Sequence, residues 1–172
     1  MTWTAPAVDI PAEPLTGAER PMLDALLDRH RATFLAKCAE LTGTELATAS
    51  APPSTLTLLG LIRHLADVER VWCRVRADGQ DVRRRYAGPP EPGNPFDDLD
   101  PARAEAEYAA LGAEMEQARR AVAGKDLDHV FVHERRGEMS LRWLLLHLVE
   151  EYAQHNGHAD LLRERIDGST SA

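Results

Sequence analysis

Wound as a helix at about 100° per residue, the segment after Ser140 brings Leu144, Leu145, Leu148, Tyr152, Ala159, Leu162 and Ile166 into one arc about 100° wide. A stripe of that width must be covered by other elements, so the chain has to fold around this helix. Ser140 supplies the N-cap, and the pattern runs to about Ile166. Two residues in the same arc are not apolar: His155 falls in its middle and Glu151 at its edge, one turn apart. An ionised carboxylate on a core-facing side is costly unless it is paired or bound to a metal. The segment therefore constrains fold and chemistry together.

Three more stretches read as helices. From about Gly17 to Leu41, with Pro21 tolerated in the first turn, Met22, Leu23, Leu26, Leu27, Phe34, Cys38 and Leu41 recur at helical spacing. Ser54 or Thr57 caps a second helix that stops at Gly79, with His64 inside the apolar arc of Leu58, Leu61, Ile62, Leu65, Val68 and Val75. Asp100 followed by Pro101 opens a third, which ends near Gly124 and carries Ala104, Tyr108, Leu111, Met115, Ala118 and Val122. Residues 79–99 are too rich in Gly, Pro and Asp for a core element and form a long crossover anchored by Tyr86 and Phe96. The stretch 126–139, with its Arg136-Gly137 turn, predicts a short extended pair. The expected architecture is all-α: one antiparallel four-helix bundle over residues 16–167, with an extended arm over 1–15, a tail over 168–172 and the long crossover between the second and third helices.

Composition narrows the partners. A net charge of −8 repels phosphate backbones and anionic membranes, which argues against nucleic acid. No window approaches the roughly 18 apolar residues of a membrane span, and no signal-like segment follows Met1. Cys38 and Cys73 lie in different helices without a CxxC, and read as small core residues in a reducing cytoplasm. Only Lys37 and Lys125 among the 20 basic residues are lysines, and alanine is abundant, the composition of a GC-rich genome such as an actinobacterium's.

His64 from the second helix, with Glu151 and His155 from the fourth, gives three convergent ligands, the number found where a metal keeps positions open for water or substrate. His147 and His158 lie on the same side, one turn away in either direction, as ligands, supports of ligands or substrate contacts. Gly60 and Gly157 are read either as ordinary helix packing or as room for close backbone approach beside the metal. Glu150 is expected in solvent, and Asp67 and Glu69 as ion-pair partners of their helix's arginines. His30, His129 and His133 are read as surface residues, Trp72 and Trp143 as core residues of which one can wall a pocket, and Arg83, Arg84 and Arg85 as a solvated basic loop or a pocket entrance.

LGLIRHLADVERVW in the second helix and HLVEEYAQHNGHADLLRERIDG in the fourth resemble the DinB-like superfamily of metal-binding four-helix bundles, over nearly the whole chain from about Leu15. Many members have a histidine where Glu151 stands, but the branch of mycothiol-dependent maleylpyruvate isomerase is similar in using a glutamate there. The resemblance implies His64, Glu151 and His155 as the metal ligands, a divalent metal, usually zinc, and thiol transfer with mycothiol, bacillithiol or glutathione. It also implies a small electrophile as substrate and a homodimer. The isomerase branch carries a further C-terminal domain, which a chain ending at Ala172 is expected to lack, so isomerase activity is not carried over. A hydrolase using metal-activated water and a non-enzymatic metal-binding or regulatory bundle are the other readings open to the same three residues.

Overall fold

The computed structural model describes residues 2–86 and 93–170, which leaves part of the expected crossover, the first residue of the arm and the last two of the tail outside the described residues. The described residues are mostly helical, with α1 Glu19–Cys38, α2 Gly43–Leu46, α3 Leu58–Glu69, α4 Ala104–Val122 and α5 Leu141–Asp167. One antiparallel sheet joins them, β1 Val130–His133 paired with β2 Gly137–Ser140, with Phe131 opposite Met139. Gly137 takes a positive φ of 77° in the turn, a conformation glycine adopts without strain. This hairpin is the extended pair expected from residues 126–139.

The caps follow the side-chain chemistry. Thr57, rather than Ser54, accepts the Gly60 N–H at 2.9 Å and starts α3. Asp100 accepts from Ala102 N at 2.9 Å ahead of Pro101, opening a 3₁₀ turn that leads into α4. Ser140 accepts from Trp143 N and starts α5, which Gly168 ends at φ 79°. Two features depart from the expected helices. The first ends at Cys38, and the chain then makes the one-turn α2, held by a reciprocal capping box between Thr42 and Glu45. The second does not run as an α-helix to Gly79: from Arg70 to Ala77 it widens into a π-helix that carries Trp72 and Cys73.

α1 packs along α5, α3 along α4, and α3 also meets α5; the π-helix lies against α4 and β1. Phe34, Cys38, Leu58, Leu61, Ile62, Leu65, Leu111, Leu144, Leu148 and Tyr152 form one continuous core between these helices. Polar ties fix the ends. Arg163 of α5 donates to Lys37 O at the end of α1, at 3.1 Å, and to Ala39 O just past it, at 2.7 Å, and Arg20 of α1 does the same for Val122 at the end of α4 and Lys125 just past it. Near the N-terminus the buried Ala5 exchanges backbone hydrogen bonds with Glu40 and Leu41. Among the described residues, no helix is long and apolar enough to cross a membrane.

Asp67 and Glu69 are occupied differently from the expected pairing with arginines of their own helix. Asp67 accepts the backbone N–H groups of Arg85 and Tyr86, at 2.7 and 3.1 Å, and so holds the start of the crossover. Glu69 is fully buried and reaches across to α1 and α5, accepting from Arg31 Nε and Nη2, both at 2.7 Å, and from the Tyr152 hydroxyl at 2.9 Å. Tyr152 follows Glu151 directly, so this contact fixes the rotation of α5 about its axis and with it the direction in which Glu151 points.

Candidate metal centre

Where α3 meets α5, His64, Glu151 and His155 converge, one ligand atom from each lying within 4.8 Å of the others. Glu151 Oε2 stands 3.5 Å from His64 Nε2 and 3.5 Å from His155 Nε2, and the two imidazoles meet edge to face with centroids 4.6 Å apart. At metal–ligand bonds of about 2.1 Å, two ligands of a tetrahedral zinc are about 3.4 Å apart, so this spacing leaves room for an ion between the three atoms. His64 Nε2 is buried and makes no hydrogen bond. A buried imidazole nitrogen left without a partner next to a carboxylate and a second imidazole suits a cation, which would satisfy all three. The imidazoles of His155 and His64 hold the Glu151 carboxyl far below the usual carboxylate range, against the opposing effect of burial, so it is ionised as it lies.

The neighbouring histidines support these three rather than crowd them. His158 Nδ1 lies 3.2 Å from His155 Nδ1, which leaves the His155 Nε2 facing Glu151. His147 places Nε2 3.5 Å from the other Glu151 oxygen, Oε1, and Nδ1 3.7 Å from Glu150, which is exposed as expected. Trp143, His147, Glu151 and His155 recur every four residues, a single ridge along α5. His147 is stacked on Trp143, with centroids 4.8 Å apart, and meets Trp72 edge-on at 4.6 Å. Both indoles thus wall the centre.

Gly60 leaves room for a side chain rather than for a metal or a second backbone. A Cβ there would fall 2.2 Å from Phe96 Cδ1, so the glycine admits the Phe96 ring, which stacks over His64 with centroids 6.3 Å apart. The crossover residue expected only as an anchor therefore roofs His64. At Gly157 a Cβ would meet nothing within 4 Å, so no close approach is built there. His30, read from the sequence as exposed, is half-buried and takes a hydrogen bond on its carbonyl oxygen from Asn156 of α5, at 3.1 Å. His133 lies against Trp72, with ring centroids 5.8 Å apart, outside the metal cluster.

The chain's own thiols are built to stay inert. Cys38 and Cys73 are free and buried; burial pushes the Cys38 thiol up to about 12, and burial together with the Glu69 charge raises Cys73. Native protein at about pH 8 is expected to take no label from iodoacetamide, and guanidinium-unfolded protein two labels per chain, read by intact mass. A thiol whose pKa is raised by folding favours the fold while neutral. Its contribution is complete below about 9 and is lost as pH rises toward about 12, so stability should fall over that alkaline window.

No curated relative matches the chain. The family model of mycothiol-S-transferase matches residues 22–168, a span that takes in α1 through α5 almost whole and the three converging residues His64, Glu151 and His155. With that match over most of its length, the chain belongs to the mycothiol-S-transferase family.

Proposed function

We propose that this chain is a metal-dependent S-transferase that joins mycothiol to a small electrophile, with His64, Glu151 and His155 as ligands of a divalent ion, zinc, on an antiparallel four-helix bundle in a reducing cytoplasm. One observation supports the reading above the others: three ligand atoms sit at metal-site spacing while the buried His64 Nε2 has no other partner. The packing of α1 on α5 and of α3 on α4 suits the bundle. A divalent ion held there would lower the pKa of a coordinating thiol, so that the thiolate is available near neutral pH.

The protein's residues do the rest. Glu151 contributes the one negative charge among the ligands and leaves a centre able to accept an anionic sulfur. His158 and His147 keep His155 and Glu151 in position, through His155 Nδ1 and Glu151 Oε1. Phe96 over His64, and Trp72 and Trp143 beside His147, keep water from that side of the centre. The buried Cys38 and Cys73 stay out of the reaction, so the nucleophile is the added thiol.

The test is metal content per chain, by plasma mass spectrometry, on untagged protein and on Glu151→Ala in parallel. About one zinc per wild-type chain and less than about a tenth of that in the variant is expected. Equal contents in the two proteins, after zinc is offered and free ion removed, would overturn the assignment.

A further inference from the structure

Helix packing joins α1 to α5, α5 to α3 and α3 to α4, but it does not close the gap between α1 and α4. Side chains bridge that gap instead. Arg119 of α4 donates from Nε to Asp28 of α1, at 3.0 Å, and Arg20 of α1 donates to Val122 O and Lys125 O, at 3.2 and 2.7 Å. The gap is a cleft of about 510 Å³, a size that holds small organic molecules. Leu27, Val122 and Leu145 give it apolar walls, and Asp28 and Arg31 line it as well. None of His64, Glu151 and His155 does, so the cleft is separate from the metal cluster.

A guanidinium carries five N–H groups. Arg31 uses three: Nε and one N–H of Nη2 donate to Glu69, both at 2.7 Å, and one N–H of Nη1 donates to Asp28 Oδ1 at 2.8 Å. The second N–H on each terminal nitrogen has no acceptor among the described residues, although the side chain is only 5% exposed. Asp28 is unevenly used in the complementary sense. Arg31 and Arg119 both meet it at Oδ1, and Oδ2 accepts nothing among the described residues. A buried donor without an acceptor is costly, and here two unused donors and an unused acceptor belong to side chains that touch each other and line one cleft. Net charge is already balanced: Glu69 and Asp28 face Arg31, Asp28 faces Arg119, and Asp24 faces Arg20 at 2.8 Å. What the cleft offers is hydrogen-bonding capacity without a field that favours an anion.

We infer that this cleft is a second small-molecule site, which takes an uncharged primary amide: its carbonyl oxygen on the free Arg31 N–H groups, its NH₂ on Asp28 Oδ2 and its apolar body against Leu27, Val122 and Leu145. A primary amide presents an acceptor and a donor side by side on one flat group, the match for what Arg31 and Asp28 leave unused. A carboxylate would set a second acceptor against Asp28, and a tertiary amide has no donor for it. Neither the metal nor thiol transfer enters this inference.

The test is an NMR titration of the full chain with benzamide, benzoate and N,N-dimethylbenzamide, following the backbone amides of Gly124 and Leu145, which line the cleft. Benzamide should bind about tenfold more tightly than either of the others, the effect of one hydrogen bond to a buried group. In Asp28→Leu its advantage over N,N-dimethylbenzamide should fall to within about twofold. Ala123→Trp places an indole at an exposed lining position just past α4 and should abolish the benzamide shifts with far-ultraviolet circular dichroism unchanged, which keeps the inference testable if Asp28→Leu fails to fold. Absence of shifts with all three compounds would mean a cleft filled by water alone and would overturn the inference. Benzoate binding as tightly as benzamide, an advantage that survives Asp28→Leu, or shifts that survive Ala123→Trp would do the same. In Glu151→Ala the benzamide affinity should be unchanged, so failure of the metal assignment and failure of the amide site give different results.

Discussion

Glu69→Ala should be the most damaging single substitution outside the metal cluster, costing about 3–5 kcal/mol. The carboxylate it removes is fully buried and is the charge that holds the 5%-exposed Arg31 side chain, bidentate at 2.7 Å. Burial alone would lower the Arg31 pKa; the Glu69 charge and its hydrogen bonds, with smaller contributions from Tyr152 and Cys73, together reverse that, so the guanidinium is kept ionised inside the protein chiefly by this partner. Asp28, at 2.8 Å from Nη1 and part-exposed, would be the remaining counter-charge within reach. The Tyr152 hydroxyl would lose its acceptor as well. Denaturant unfolding of Glu69→Ala and of Glu69→Met/Arg31→Met checks this. The double variant, which buries no unpaired charge, should recover most of the loss; a single variant within about 1 kcal/mol of wild type would show that the network is not holding α1, α3 and α5 together.

The second large effect is graded along α5. Replacing a ligand, His64→Ala or His155→Ala, should abolish binding of one zinc per chain at micromolar metal, because two remaining protein ligands make a weak site. His158→Phe and His147→Phe keep a ring but remove the nitrogen that faces His155 Nδ1 or Glu151 Oε1, and should weaken zinc by about 10–100-fold. Competition against a chromogenic zinc chelator measures all four. If His158→Phe matches wild type, the 3.2 Å contact does not orient His155; if His64→Ala retains full affinity, the ligand set is wrong.

Much of this site was readable because its parts repeat at the helical period on single elements. Glu151 and His155 stand out on α5 against Leu148, Tyr152 and Ala159, and His64 stands out in the same way between Leu61 and Leu65. Periodicity marks a residue that does not match its face, and at this centre the mismatched residues meet. It says little about partners from distant segments. Glu69 looked like a member of its own helix's arginine cluster, while its partner Arg31 lies 38 positions away. Phe96 could be read as an anchor, but only packing against Gly60 shows which ring it covers. The short α2 has a legible signal, Thr42 followed by Glu45, set within a turn-rich stretch. The π-helix had none, since Arg70–Ala77 contains neither glycine nor proline to mark a break.

That widened turn amounts to an insertion carried without a loop. One extra residue per turn shifts the phase of everything after it by about 100° relative to α3. A chain one residue shorter between Glu69 and Trp72 would regain regular pitch, but its indole would rotate away from His147 and take Arg76 with it. For this sequence, an unbroken helix and an aromatic flank on His147 are alternatives, and the fold has settled on the flank.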